Sequence, residues 1–330
     1  MKALVQARYG PAEQLSFEEV PDPTPGRGEV LVAVRAASVN AADWHVMRGD
    51  PYLARLMAPG IFGLRGPRNK VRGRDVAGVV EAAGPDVRHL RVGDRVFGEL
   101  AKDGAFAEKV CAHEDLLEIL PLEVPFDRAA ALPLAGGTAL GAVRAGKVGP
   151  GQKVLINGAS GGVGTYAVQM AVALGAEVTG VCSGRNLEMV RSLGAEDVID
   201  YGAADFTAAG RQWDVIVDLA ASRSLSELRR ALTPTGTLVL TGGGRSEGGS
   251  FFGPMGLMIG AGVRSLFSKP QRLVIFSAKP DRALLRDLLA MQREGAIRPV
   301  VDRAFHLSEA AAAIRYVELE HPRAKVLIAV

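Results

Sequence analysis

A chain of 330 residues, 48% apolar and 23% charged, can bury a large core and is too hydrophobic to remain disordered. Its 39 basic and 36 acidic residues nearly cancel to a formal charge of +3, and no basic run interleaved with aromatics marks a nucleic-acid partner. Two isolated cysteines, Cys111 and Cys182, exclude a disulfide framework and fit a reducing compartment, so a cytoplasmic location is expected.

The length predicts two domains. Residues 1–6 form too short an apolar run for a signal peptide. Short Val-rich or alternating runs at 3–7, 29–36, 76–83, 95–100 and 106–111 read as strands. Turn clusters at 21–26, 84–86 and 93–94 separate them, which predicts a compact, barrel-like β domain. From about Pro125 the two patterns alternate: strand 153–157, helix 163–174, strand 177–182, helix 187–193, then strands 197–200, 214–219 and 237–241. That rhythm predicts a parallel, doubly wound sheet. The apolar stretch 251–267 is broken by Pro254 and Arg264 and is shorter than the roughly 20 residues a membrane span needs, so it reads as a covered helix or lid. Helices at 282–294 and 308–319 and a strand at 325–330 depart from the β/α rhythm and are expected to return to the first domain. The expected division is therefore 1–121, 122–278 and 279–330, with the first and last parts forming one domain.

The strongest local signal is the run Asn157-Gly158-Ala159-Ser160-Gly161-Gly162-Val163-Gly164, which leaves a strand and opens a helix. Glycines permit a tight turn and close approach of backbone N–H groups to a pyrophosphate, and the helix N-terminus adds partial positive charge. A dinucleotide site is expected here. The next strand ends in Val181-Cys182-Ser183-Gly184-Arg185-Asn186, with no acid between Thr179 and Leu187 to hold a ribose 2′-hydroxyl. Ser183, Arg185 and Asn186 can instead receive a 2′-phosphate, so NADPH is the expected cofactor.

These residues belong to a wider pattern. Residues 37–44 (Ala37-Ser38-Val39-Asn40-Ala41-Ala42-Asp43-Trp44), 74–78, 92–96, 132–139, the 159–164 loop and 185–201 resemble the quinone oxidoreductase branch of the medium-chain dehydrogenase/reductase superfamily. Within it they are most similar to chloroplast-envelope quinone oxidoreductase homologues and reticulon-interacting mitochondrial proteins. The resemblance implies an α/β fold, in which a GroES-like, β-rich catalytic domain is interrupted by a doubly wound Rossmann domain. It implies Thr138 near the nicotinamide, and Tyr201 beside Ser183 and Arg185 around the 2′-phosphate. It also implies Lys325 as a cofactor contact, alongside Ala159, Ser160, Gly161, Gly162, Val163 and Gly164. Tyr201 reads equally as a strand-end aromatic, and Lys325 as a solvated strand residue. A homodimer is expected by analogy, with residues 273–276 as a candidate pairing edge.

Zinc-dependent relatives need three protein ligands and an open fourth position. The matching positions here are Asn40, Arg74 and Leu134, and neither Arg nor Leu ligates zinc. No metal is therefore expected. Without a Lewis acid, reduction of a conjugated substrate is favoured over alcohol oxidation. The expected reaction is NADPH-dependent hydride transfer to a quinone or α,β-unsaturated carbonyl, with no nucleic-acid partner and no stable membrane insertion. A pathway-specific enoyl reductase and a low-activity nucleotide-binding interaction protein are the alternatives. Asn40 is the candidate catalytic carboxamide donor, or an Asn that caps backbone after a strand. His45 is the candidate proton donor, or a histidine that lines the cleft. Asp43 is expected to orient backbone rather than act as a base. Trp44, Tyr52, Phe62 and residues 251–255 are candidate pocket walls, and residues 50–69 read as a cleft-edge loop.

Overall fold

The structure, a computed structural model, describes residues 1–50, 52–57, 60, 62–63, 66–208, 210–241 and 270–330. The apolar stretch 251–267, with the pocket-wall residues 251–255, lies outside them. Among the described residues no helix is long and apolar enough to cross a membrane.

The chain opens with β1 (Lys2–Gln6) and β2 (Leu15–Glu19), an antiparallel ribbon. Next come β3 (Glu29–Val39), α1 (Ala41–Arg48), α2 (Tyr52–Met57), β4 (Asp75–Ala83), β5 (Arg95–Glu99), β6 (Lys109–His113) and β7 (Leu117–Ile119). In β3 the alternate residues Val30, Val32 and Val34 are buried, as the period of a strand requires. Short helix α3 (Phe126–Ala130) and long helix α4 (Pro133–Gly146) lead out of this region.

The β/α alternation then runs β8 (Lys153–Asn157), α5 (Gly162–Ala173), β9 (Glu177–Cys182), α6 (Leu187–Ser192), β10 (Asp197–Asp200), β11 (Trp213–Asp218), α7 (Leu225–Arg230), β12 (Leu232–Leu240) and β13 (Arg272–Ile275). These strands form one parallel sheet in the order β10-β9-β8-β11-β12-β13. The order reverses between β8 and β11, and in such sheets ligands bind outside the carboxyl ends of the strands at that point.

The last elements are α8 (Arg282–Arg293), β14 (Val301–His306), α9 (Ala310–Leu319) and β15 (Lys325–Ala329). Strand β15 pairs antiparallel with β3, so the chain returns to the first sheet, whose order is β14-β15-β3-β4-β5-β7 with β6 also on β3. The end of the chain is thereby held against both layers: Val326 faces Val39 of β3, and Ala324 bridges to Gly161 of the glycine loop.

Candidate active site

The glycine loop lies between β8 and α5, at the switch point of the parallel sheet. Gly158 has φ +91°, a left-handed conformation that glycine adopts without strain. A Cβ on Gly164 would overlap the carbonyl oxygen of Gly158, so the first turn of α5 closes on the loop only because that side chain is missing. Ala159 is buried, while Ser160, Gly161, Gly162 and Val163 are half-buried along the open rim. The backbone N–H groups that begin α5 lack partners within their own helix and suit an anion. This cradle fits a dinucleotide pyrophosphate.

Asn157 ends β8 and Asp218 ends β11, directly opposite in register. Asn157 Nδ2 donates to Asp218 Oδ1 at 2.8 Å, and the backbone N–H groups of Ala220 and Ala221 donate to the same oxygen. Burial pushes the Asp218 carboxyl above the usual carboxylate range. The pair shapes the loop that closes over Gly158.

At the ends of β9 and β10 the structure brings Ser183, Arg185 and Tyr201 to one edge. Asp200 pairs with Cys182 across the two strands, and Tyr201 N–H donates to Cys182 O. Tyr201 is exposed, and Ser183 Oγ accepts from Asn186 Nδ2 at 3.1 Å. The Arg185 guanidinium donates to Glu320 O at 2.9 Å and His321 O at 2.7 Å, just past the C-terminus of α9, where carbonyls concentrate negative charge. Arg323 Nη2 donates back to Arg185 O at 3.1 Å, which adds a second guanidinium to this edge. One acid is also present: Asp200 Oδ2 lies 2.6 Å from where a Cβ of Gly184 would stand.

Between the two sheets lies a buried polar cluster. The three positions that match zinc ligands in relatives, Asn40, Arg74 and Leu134, surround Asp75, whose side chain is fully buried. Asp75 Oδ2 accepts Ser38 Oγ at 2.8 Å and Asn40 Nδ2 at 2.9 Å, and its Oδ1 accepts Leu134 N–H at 3.1 Å. The ammonium of Lys325, 1% exposed, donates to Asn40 Oδ1 at 2.6 Å and lies 3.5 Å from Asp75 Oδ2. Burial pulls the Lys325 ammonium below the ordinary lysine range, and the Asp75 and Asp43 carboxylates oppose that. Arg74 Nη2 is held 2.9 Å from Glu99 Oε1. An asparagine bonded at both ends, an arginine and a leucine do not make a zinc site. Among the described residues no group of three His, Cys, Asp or Glu side chains is placed to hold a metal.

Each candidate residue has a definite place in this arrangement. Asn40 precedes α1, and its carboxamide is committed to Lys325 and Asp75. Lys325 lays its stem against Gly162 of the glycine loop, 3.3 Å from where a Cβ there would stand, while its ammonium points into the cluster. Thr138 is buried, with Oγ1 donating to Leu134 O one helical turn back at 2.7 Å. Asp43 orients backbone, its Oδ2 accepting Asn40 N–H at 2.7 Å, and burial together with Asp103 pushes its carboxyl up to about 8. His45 stacks on Trp44 with ring centroids 3.6 Å apart, and burial lowers its imidazole below the usual range, towards the neutral form. Trp44 packs on the core of the first sheet, Phe62 is buried, and Tyr52 is 42% exposed with Arg55 stacked on its ring. Asp75, Glu99, Asp200, Asp218 and Arg323 were not singled out from the sequence. For Asp75 and Asp200 a signal existed, because they stand inside the matched 74–78 and 185–201 stretches.

The alcohol dehydrogenase GroES-like domain family matches residues 26–122, and the zinc-binding dehydrogenase family matches residues 193–328. The chain is 34% identical to the chloroplastic quinone-oxidoreductase QR1 of Triphysaria versicolor, over 94% of this chain and 92% of that one. It is 32% identical to the mitochondrial NAD(P)H oxidoreductase RTN4IP1 of Bos taurus, over 99% of this chain and 89% of that one. The quinone oxidoreductase structure from Coxiella burnetii superposes with a TM-score of 0.86 at 29% identity, covering 100% of this chain and 99% of that one. The first sheet is thus the GroES-like unit and the parallel sheet the Rossmann-type unit. With likeness running the length of the chain, the protein belongs to the medium-chain dehydrogenase/reductase superfamily, in its quinone oxidoreductase branch, and is a nicotinamide-dependent oxidoreductase.

Proposed function

We propose that the chain is a zinc-independent, NADPH-dependent reductase of quinones or α,β-unsaturated carbonyls. The observation that carries this reading is the Asn40–Asp75–Lys325 network, which fills with hydrogen-bonded side chains the place where relatives hold a catalytic metal. A site with no Lewis acid needs a substrate already polarised by its own conjugation. When bound, the nicotinamide supplies the hydride. The protein's part is to bind and orient. The first turn of α5 holds the pyrophosphate, Thr138 borders the reacting ring, and Ser183, Arg185, Tyr201 and Arg323 take the 2′-phosphate. The active form is proposed to be a homodimer joined along β13, the half-exposed edge strand of the parallel sheet. NADPH oxidation against a panel of quinones and small enones tests the substrate class, and failure with all of them while NADPH binds would contradict it.

A specific observation favours a second reading of the cofactor. Asp200 places a carboxylate beside Gly184, and an acid at this edge suits the free ribose hydroxyls of NADH. Arg185→Ala separates the two. A hydrogen bond to a charged group contributes about 1.5–3 kcal/mol, and each 1.4 kcal/mol is tenfold in affinity, so NADPH should bind roughly ten- to a hundred-fold more weakly. NADH should be nearly unaffected. Dissociation constants for both cofactors at fixed ionic strength make the comparison. Equal losses would mean that Arg185 serves only to tie the end of α9 to β9.

A further inference from the structure

Glu99 is the last residue of β5 and is only 7% exposed. Arg74 anchors one carboxyl oxygen, Oε1, and itself donates to Leu100 O at 3.3 Å. No described group forms a hydrogen bond with the other oxygen, Oε2. The carboxyl lines a small cavity with Pro133 and Gly137 of α4, Lys279, and Leu284 and Leu285 of α8. A Cβ on Gly137 would meet no heavy atom within 4 Å, so the wall is open at the residue preceding Thr138. Burial pushes the Glu99 carboxyl up to about 7. Arg74 and Lys325 oppose that rise and Asp75 adds to it. Lys279 and Asp281 border the cavity from the segment that leads into α8, whereas α4 and α8 present only uncharged side chains to it.

We propose that Glu99 Oε2 donates the proton that completes the reduction, a role that rests on the reductase reading above. The balance is simple. Two electrons and one hydrogen reach the electron-poor carbon of the substrate as hydride. The O–H bond of the Glu99 carboxyl then breaks, and its proton forms the second new bond, at the α-carbon of an enone or at a quinone oxygen. The carboxylate left behind faces Arg74 and regains its proton from water. Glu99 meets the requirements of a general acid: an oxygen with no hydrogen-bond partner among the described residues, a cavity shared with Gly137, the residue before Thr138, and neighbours that tune its proton.

The acid must be protonated to act, so wild-type enone reduction should be fastest below pH 7 and fall as pH rises through about 7. Glu99→Gln should lower kcat by roughly 10²-fold or more and abolish the alkaline limb. Glu99→Asp keeps an acid beside Arg74 and should recover part of the rate and the limb. In the cofactor-free protein, carboxyl-carbon NMR should show one resonance that titrates near pH 7 and is missing in Glu99→Gln. An active wild type whose Glu99→Gln variant keeps both rate and limb overturns the proposal alone, as does a Glu99 resonance that titrates like an ordinary surface glutamate. A wild type that reduces no enone and no quinone overturns the reductase reading, and the proposal with it.

Discussion

Lys325→Met should cost about 3–5 kcal/mol of stability, because it leaves the buried Asp75 carboxylate without its cation. Both partners are nearly inaccessible, at 1% and 0% exposure. The Asp75 carboxylate would keep Ser38, Asn40 and the Leu134 N–H as donors, but none of these carries charge. A methionine of similar length fills the space beside Gly162, so the loss reports charge rather than packing. The check is the urea midpoint at constant slope. The double variant Lys325→Met/Asp75→Asn should recover part of the loss, since the unpaired charge is then absent. A loss below about 1 kcal/mol, the value typical of solvated pairs, would mean that water reaches this cluster.

Gly164→Ala should weaken NADPH and NADH alike. The added Cβ would overlap Gly158 O and lie 2.8 Å from Ala159 Cα, so the loop must move off α5. Overpacking of this kind costs about 1–3 kcal/mol. If it falls on the bound geometry, dinucleotide affinity drops roughly ten- to a hundred-fold. Calorimetric titration of both cofactors distinguishes this outcome from that of Arg185→Ala, which should spare NADH. Unchanged affinity for both would mean that the loop accommodates a methyl group without losing its grip on the pyrophosphate.

The parallel sheet was legible because its strands are short apolar runs in a regular alternation. Strands β8, β9 and β10 begin and end where the pattern places them. Helix α4 was not legible: Gly136, Gly137 and Gly141 are poor helix formers, and only tertiary packing explains them. A Cβ on Gly141 would overlap the Phe276 ring, so the small residues let α4 lie tightly against its neighbours. Strand β14 escaped for the opposite reason. Its residues Val301–His306 are half-buried or exposed, and an edge strand on the surface shows no apolar alternation.

The candidate site divides in the same way. The glycine loop is local, and eight consecutive residues reveal it. The polar cluster is not: Asn40 and Lys325 meet across 285 positions of sequence, brought together by the pairing of β3 with β15. Read along the chain, Lys325 is a strand residue and Asn40 a loop residue; folded, each satisfies the other. Asp200 stands inside the matched 185–201 stretch beside Tyr201, but only the register of β10 on β9 places its carboxylate beside Gly184. Glu99 closes a short strand before a turn, where an acid reads as solvated until the fold buries it beside α4 and α8.

A reductase proposed to use NADPH without a metal should turn over a conjugated acceptor with no zinc bound. The most direct measurement is kcat/KM for NADPH and for NADH with one enone and one quinone, on protein dialysed against a strong chelator, with the metal content measured in the same sample. Undiminished turnover is expected with zinc far below one per chain, together with a preference for NADPH of roughly ten-fold or more, the lower end of what one charged hydrogen bond to the 2′-phosphate supplies. Activity lost on chelation and restored by zinc would contradict the metal-free site, and faster turnover with NADH would show that Asp200, not Arg185, reads the ribose.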